Sequence, residues 1–205
     1  MKTLCLGGSF NPIHHGHLIC ARAVAEAAGY QKVVLVPSAR PPHKPDHADL
    51  ADASDRLHMC HLALQNKPAS DTPNPDLSWE VSEVELARTG PSYTIDTVRD
   101  LKREGWPEVH WLIGADMLNY LPKWHESAAL LREAVIIVMA RPRVRLNWDA
   151  LPEGWVTALK KNVVAAPQID ISSTQIRQRV KAGLDIDYLT PPAVVDYIAR
   201  KKLYQ

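Results

Sequence analysis

The chain has 205 residues, 46% of them hydrophobic and 23% charged, a length and balance that fit one α/β domain with a sizeable buried core. A formal net charge of +1 gives no support to a large nucleic-acid footprint, and no apolar run approaches the roughly 20 residues of a membrane helix. Cys5, Cys20 and Cys60 are unpaired in spacing and sit in apolar patterns, as core thiols of a reducing cytosol do, and the chain enters its first strand with no signal-peptide pattern ahead of it.

Leu4-Cys5-Leu6 is a short apolar run suited to a central parallel strand. Gly7 and Gly8 then let the backbone turn sharply and approach a ligand closely, and Pro12 disfavours a helix before it. From Gly16 the pattern is helical, with Leu18, Ala21, Ala25 and Ala28 on one face and Gly29 as the stop. A strand-to-helix turn of this kind attracts phosphate through its backbone N–H groups. The turn lacks the Gly-Lys-Ser/Thr of a P-loop and is not Gly-x-Gly-x-x-Gly. His14 and His17, three apart, can face one ligand and donate to phosphate oxygens, whereas His15 reads as structural or solvated. Zinc needs three or four ligands, and no Cys or carboxylate lies at ligand spacing, so no metal site is expected.

Lys32 to Val36 is the second strand, which makes the first unit β-α-β and places the loop after it beside the glycine turn. That loop, Pro37 to Pro45, is stiff with proline and carries Lys44. Ser54 is positioned to cap a helix with Leu57, Cys60, His61 and Leu64 as its buried stripe. Trp79 to Leu86 reads as a strand whose alternation slips at Ser82-Glu83, as a bulge would make it. Ser92 or Tyr93 begins a helix with Ile95, Val98 and Leu101 inward. Val109 to Ile113 is a strand leading to Gly114 and Asp116; Asp116 suits either a ribose contact or a helix cap. Trp124 has the flat face that stacks on a heteroaromatic ring, and also suits packing. Glu133 to Arg141 reads as a β-branched strand, 143–162 as irregular, and Val163-Val164 as the last strand. Ser172 with Gln175 forms a capping box, with Ile176 and Val180 inward and Arg177 beside the helix N-terminus, a polyphosphate site in character. A final helix fills Thr190 to Tyr204.

Gly-Gly-Ser-Phe-Asn-Pro-Ile-His-His-Gly-His resembles the His-x-Gly-His signature of the nucleotidyltransferase superfamily, and its flanks resemble the bacterial nicotinate mononucleotide adenylyltransferases. Pro-Pro-His-Lys at Pro41–Lys44, Pro-Ser-Tyr-Thr at Pro91–Thr94, Gly-x-Asp at Gly114–Asp116, Trp124 and Ile-Ser-Ser-Thr-x-Ile-Arg at Ile171–Arg177 extend the likeness over nearly the whole chain. The resemblance implies an α/β, Rossmann-like doubly wound, mostly parallel sheet with helices on both faces. It implies one nucleotidyltransferase domain over 1–205, its helical portion from about 172 to 205 packed on it. By the same resemblance His14, His17, Lys44 and Arg177 are catalytic, and Gly8, Ser9, Phe10, Gly114, Asp116, Ser173 and Thr174 bind ATP. Tyr93, Thr94 and Trp124 bind nicotinate mononucleotide. One position departs: Asn11 stands where the family commonly has Asp and cannot supply that negative charge.

No Ser or Cys sits by a base in a nucleophile arrangement, which favours direct transfer of AMP from ATP, with Mg²⁺ carried on the ATP. ATP and nicotinate mononucleotide are the partners expected, without nucleic acid or membrane, in the cytoplasm. The alternatives are a related transfer to nicotinamide mononucleotide, phosphopantetheine, or a sugar or choline phosphate, and a non-catalytic nucleotide sensor or RNA-binding module.

Overall fold

A computed structural model describes residues 1–42, 49–65, 77–142 and 145–205. Six strands form one sheet: β1 Thr3–Gly8, β2 Lys32–Pro37, β3 Ser78–Val81, β4 His110–Gly114, β5 Val135–Ala140 and β6 Val163–Ala165. Every pairing is parallel and the order is β3-β2-β1-β4-β5-β6, the doubly wound arrangement whose direction of growth reverses between β1 and β4.

Strand side chains alternate between faces, and the alternation assigns the helices. Cys5, Val34, Val36, Trp111, Ile113, Ile136 and Val138 point to one face. There they meet Ile95, Val98 and Leu101 of α3 (Thr94–Arg103), Leu130 of α4 (Ser127–Glu133) and Leu159 of α5 (Glu153–Lys160). Leu4, Val33, Leu112 and Ile137 point the other way, onto Ala21, Val24 and Ala25 of α1 (His15–Ala27). Leu35 continues that face into a second cluster with Met59 and Cys60 of α2 (Ala53–Gln65), Ile176 of α6 (Ser173–Lys181), and Val194 and Ile198 of α7 (Pro192–Lys201). All three thiols are free and buried. No helix among the described residues is long and apolar enough to cross a membrane.

Several elements differ from the sequence reading. The strand placed at Trp79–Leu86 ends at Val81. Ser82 N–H still reaches Leu35 O, and then the Glu83 carbonyl accepts from Leu86 and Ala87 N–H. The slip in alternation is therefore a turn leaving an edge strand, not a bulge. α2 begins at Ala53, so Ser54 lies inside it, and its buried residues are Arg56, Met59 and Cys60, with His61 exposed. The stripe is rotated because an arginine, not an apolar residue, points inward. The stretch 143–162, read as irregular, contains α5 with Leu159 buried, and Glu133 belongs to α4 rather than to β5.

The β1–β4 ladder positions the site. It runs from Leu4–His110 to Leu6–Leu112 and stops, while β1 stays paired to β2 through Gly8–Pro37 and β4 to β5 through Gly114–Met139. A notch thus opens at the carboxyl ends of β1 and β4. Gly7 is required beside it, because a Cβ there would overlap the indole of Trp111.

Candidate active site

The notch opens into a cavity of about 310 Å³. Gly7 and Gly8 line it from the end of β1 and Ser9 from the turn that follows, and Ile113 and Gly114 come from the end of β4. Tyr93, Thr94, Trp111, Trp124 and His125 give it aromatic walls and one helix N-terminus. The Tyr93 and His125 rings stack with centroids 4.2 Å apart. Six residues expected from separate parts of the sequence to bind nucleotide, Gly8, Ser9, Tyr93, Thr94, Gly114 and Trp124, line this cavity together.

The start of α3 is held by a buried network. Thr97 Oγ1 donates to Glu85 Oε1 at 2.6 Å, and Arg88 donates to Thr97 Oγ1, to Tyr93 O and to Asp100 Oδ2. Burial pushes the Glu85 carboxyl up, against the pull of the Thr97 hydroxyl and nearby Arg88 and Arg56. Ser92 ties this helix start to the loop after β2: Ser92 N–H donates to Arg40 O at 2.9 Å, and Ser92 Oγ accepts from Arg40 N–H at 3.0 Å.

The histidine signature sits just outside the cavity, at the N-terminus of α1. His17 Nδ1 accepts from the His14 N–H at 3.3 Å, so the proton of the neutral ring lies on Nε2 and that atom is a donor. The two imidazoles stack with centroids 3.6 Å apart and planes 25° apart. Gly16 makes room for this stack: a Cβ there would lie 3.0 Å from His14 Nδ1. Phe10, at φ 43°, packs its ring edge-on to His17 at 5.1 Å. Its side chain is a core group, 1% exposed, so any nucleotide contact it makes is through its backbone. His14 is buried, and desolvation, with His15 and Arg141 adding to it, lowers its pKa to about 4. His14 is therefore neutral at pH 7.

The second signature docks on the first. Ser172 Oγ accepts from Gln175 N–H at 3.1 Å, so Ser172 caps α6 by a single bond and not through the reciprocal capping box expected from the sequence. Ser173 Oγ donates to Pro12 O at 2.8 Å and Arg177 Nη1 to Asn11 O at 3.0 Å. Both side chains thus brace the turn that carries the histidines, while Thr174 is exposed. Asn11 is itself spanned: Nδ2 donates to Asp49 O at 2.7 Å, and Oδ1 accepts from Ala51 N–H and from the Tyr204 hydroxyl. A carboxylate could make the two acceptor bonds and not the donor bond, which gives the amide at this position a structural use. Asp116 is exposed one residue past Ala115 and crowds Gly114, where a Cβ would collide with its carboxylate. Lys44 lies outside the described residues.

Two arginines were not singled out by sequence. Arg141, at the carboxyl end of β5, lies within the field of His14 and Cys20, and its Nη2 is 3.9 Å from where a Gly114 Cβ would be. Arg56 is 1% exposed and donates to carbonyls of Ser9, Ser38, Ala39 and Ala51. Neither stands in a recognisable local motif; each becomes visible only when distant segments meet. Among the described residues no group of three or more His, Cys, Asp and Glu side chains could hold a metal ion.

The fold and this arrangement define a nucleotidyltransferase, and comparison with known proteins agrees: the cytidylyltransferase-like family model matches residues 5–179. The chain belongs to that family, and within it to the nicotinate-nucleotide adenylyltransferases. It is 37% identical over 97% of its length and 96% of the partner's to a Herpetosiphon aurantiacus protein named "Probable nicotinate-nucleotide adenylyltransferase". A Moorella thermoacetica protein of the same name is 40% identical over 98% of this chain and 90% of its own. The Plasmodium falciparum nicotinic acid mononucleotide adenylyltransferase complexed with NaAD superposes with a TM-score of 0.69 at 20% identity, covering 100% of this chain and 98% of that one; at that identity it supports the fold.

The neutral burial of His14 has a consequence for stability. Its folded pKa of about 4 lies below the unfolded value of 6.5, so between those values the unfolded chain holds the extra proton. The contribution is present above about pH 6.5 and is lost as pH falls towards 4, an amount of about 3 kcal/mol. Urea denaturation from pH 7 to pH 4 should show the parent losing this stability, and His14→Asn should lose less over the same interval. Equal losses in both would show that His14 is not buried neutral.

Proposed function

We propose that this enzyme transfers AMP from ATP to nicotinate mononucleotide, releasing pyrophosphate and forming deamido-NAD, as a step of NAD biosynthesis. The observation that carries the reading is a cavity lined by the Gly8-Ser9 turn, aromatic side chains and a helix N-terminus, with the stacked His14–His17 pair just outside it at the start of α1. The pyridine ring stacks on Trp124, and its carboxylate is received at the N-terminus of α3, by Tyr93 and Thr94, where N–H groups and the helix dipole favour an anion. ATP lies over the Gly8–Phe10 backbone and Gly114, with Asp116 at a ribose and the start of α6, including Ser173 and Thr174, near its phosphates. The whole of 1–205 acts as one nucleotidyltransferase domain.

The chemistry is a single in-line displacement. A phosphate oxygen of nicotinate mononucleotide attacks the α-phosphorus of ATP, and that new P–O bond forms as the bond from the α-phosphorus to the bridging oxygen breaks. The bonding pair leaves with pyrophosphate. Such transfers depend on positioning and on donors aimed at developing charge. His17, with its proton on Nε2, is a donor that needs no net charge, and neutral His14 stacked on it holds its plane. Arg177 contributes positive charge from α6, and Lys44 is assigned a like role by its sequence match. Magnesium would travel on the ATP phosphates.

A second transfer, to nicotinamide mononucleotide, uses the same fold and is separated by one substituent. Pyrophosphate release with Mg-ATP should be fastest with nicotinate mononucleotide, slower with nicotinamide mononucleotide and absent with phosphopantetheine. Preference for the amide would refute the carboxylate-receiving helix start, and turnover of phosphopantetheine would refute the aromatic slot. In the same assay His17→Ala, folded by circular dichroism, should lose at least about a hundredfold in kcat, the usual loss for one transition-state donor. Near-parent turnover would remove His17 from the mechanism.

A further inference from the structure

Arg56 is among the largest side chains that the fold buries completely. It lies on α2, outside both signatures and outside the cavity lining. Its guanidinium meets carbonyls from three separate segments. Nη1 donates to Ser9 O at 2.8 Å, in the turn after β1, and to Ser38 O at 2.6 Å, in the loop after β2. Nη2 donates to Ala39 O at 3.1 Å in the same loop, and Nε to Ala51 O at 2.9 Å, just before α2. Ala51 N–H is in turn bound by Asn11 Oδ1 at 3.0 Å, so the segment carrying the histidines is fastened to the same junction. No carboxylate pairs directly with the guanidinium among the described residues.

A buried cation whose partners among the described residues are main-chain oxygens is a costly way to gain stability, since an apolar side chain could fill the volume. It is a good way to fix the mutual positions of backbone segments. The planar fork of Arg reaches several acceptors at set angles, and here those acceptors belong to residues whose neighbours form the recess: Gly8 and Ser9 on one side, Ser38 and Pro41 on the other. The orientation of the Ser9 carbonyl also sets the orientation of the next N–H, because one peptide plane carries both.

We propose that Arg56 is a positioning residue for nucleotidyl transfer: by holding Ser9, Ser38, Ala39 and Ala51 on one guanidinium, it sets the spacing of the turn after β1 and the loop after β2 in which the transferring phosphate is gripped. The inference rests on the nucleotidyltransferase reading and not on which mononucleotide is the acceptor. A misplacement of about 1 Å by a residue remote from the chemistry can cost about a hundredfold in rate. The loss falls on kcat more than on KM, because ground-state contacts with the base and ring are left in place.

The experiment uses the full-length enzyme and whichever mononucleotide the parent turns over best, so a wrong acceptor assignment does not affect it. Arg56→Lys keeps a buried cation but donates from one nitrogen, which cannot span carbonyls of three segments. It should fold, keep KM for ATP within about threefold, and lose at least about tenfold in kcat. Arg56→Ala should lose more, and millimolar guanidine, well below denaturing concentration, should restore part of its kcat by occupying the vacated site; where Arg56→Ala does not fold, Arg56→Lys decides alone. A kcat within twofold of parent in Arg56→Lys, or a loss carried wholly by KM, would overturn the proposal. So would a folded Arg56→Ala that guanidine does not restore, or an Arg56→Lys that does not fold, which would make the residue a folding requirement only.

Discussion

Hydrogen bonding between β1 and β4 ends at Leu6–Leu112, while each strand remains paired on its other side to its last residue. Two central strands therefore part just where a parallel sheet presents its carboxyl ends, and the topological reversal leaves no crossover helix to cover the gap. Gly7, Gly8 and Gly114 stand on its two lips. The requirement at Gly7 is steric, since Trp111 fills the space a side chain would take. The aromatic slot, the glycine turn and the histidine pair are all consequences of where this gap falls.

Around the gap the molecule relies on polar side chains that tie loop and helix segments together through hydrogen bonds. Asn11 joins the turn to Asp49, Ala51 and Tyr204. Glu85, Thr97 and Arg88 fix the start of α3, and Arg56 gathers four carbonyls. Leaving one such acceptor unpaired costs about 1–3 kcal/mol, so these bonds tolerate little drift. The consequence is a site set before substrate arrives. That suits a reaction whose catalysis consists of orientation and charge stabilisation more than of covalent participation. The neutral state of His14 fits the same picture: a buried, uncharged imidazole at 5% exposure can hold its neighbour without adding a charge that the core would have to solvate.

The sheet and much of the recess were legible in the sequence because their signals are local. A strand running into paired glycines, a Ser172–Gln175 cap, and the inward spacing of Ile95, Val98 and Leu101 each depend on a few neighbouring residues, and the structure realises each. Asn11 was legible as a departure from the family's usual Asp but not as a junction, since its partners are as far away as Tyr204. Arg56 was invisible for the same reason and for a second: a cation on a helix is usually read as solvated, and its presence at the core rotated the stripe assigned to Leu57 and His61. The end of β3 was misplaced because an edge strand has a partner on one side only, and a turn breaks alternation in the same way as a bulge. α5 was missed because it is eight residues long, and two turns of helix give periodicity too little length to register.

The claim on which the account turns is that the protein positions two substrates for one direct displacement and never takes the nucleotidyl group itself. The most direct measurement is the stereochemical course at the α-phosphorus, using one P-chiral diastereomer of ATP carrying sulfur at that phosphorus and assigning the configuration of the dinucleotide product. A single in-line attack by the mononucleotide phosphate predicts inversion. Retention would require two displacements through a covalent enzyme intermediate, and would contradict the account.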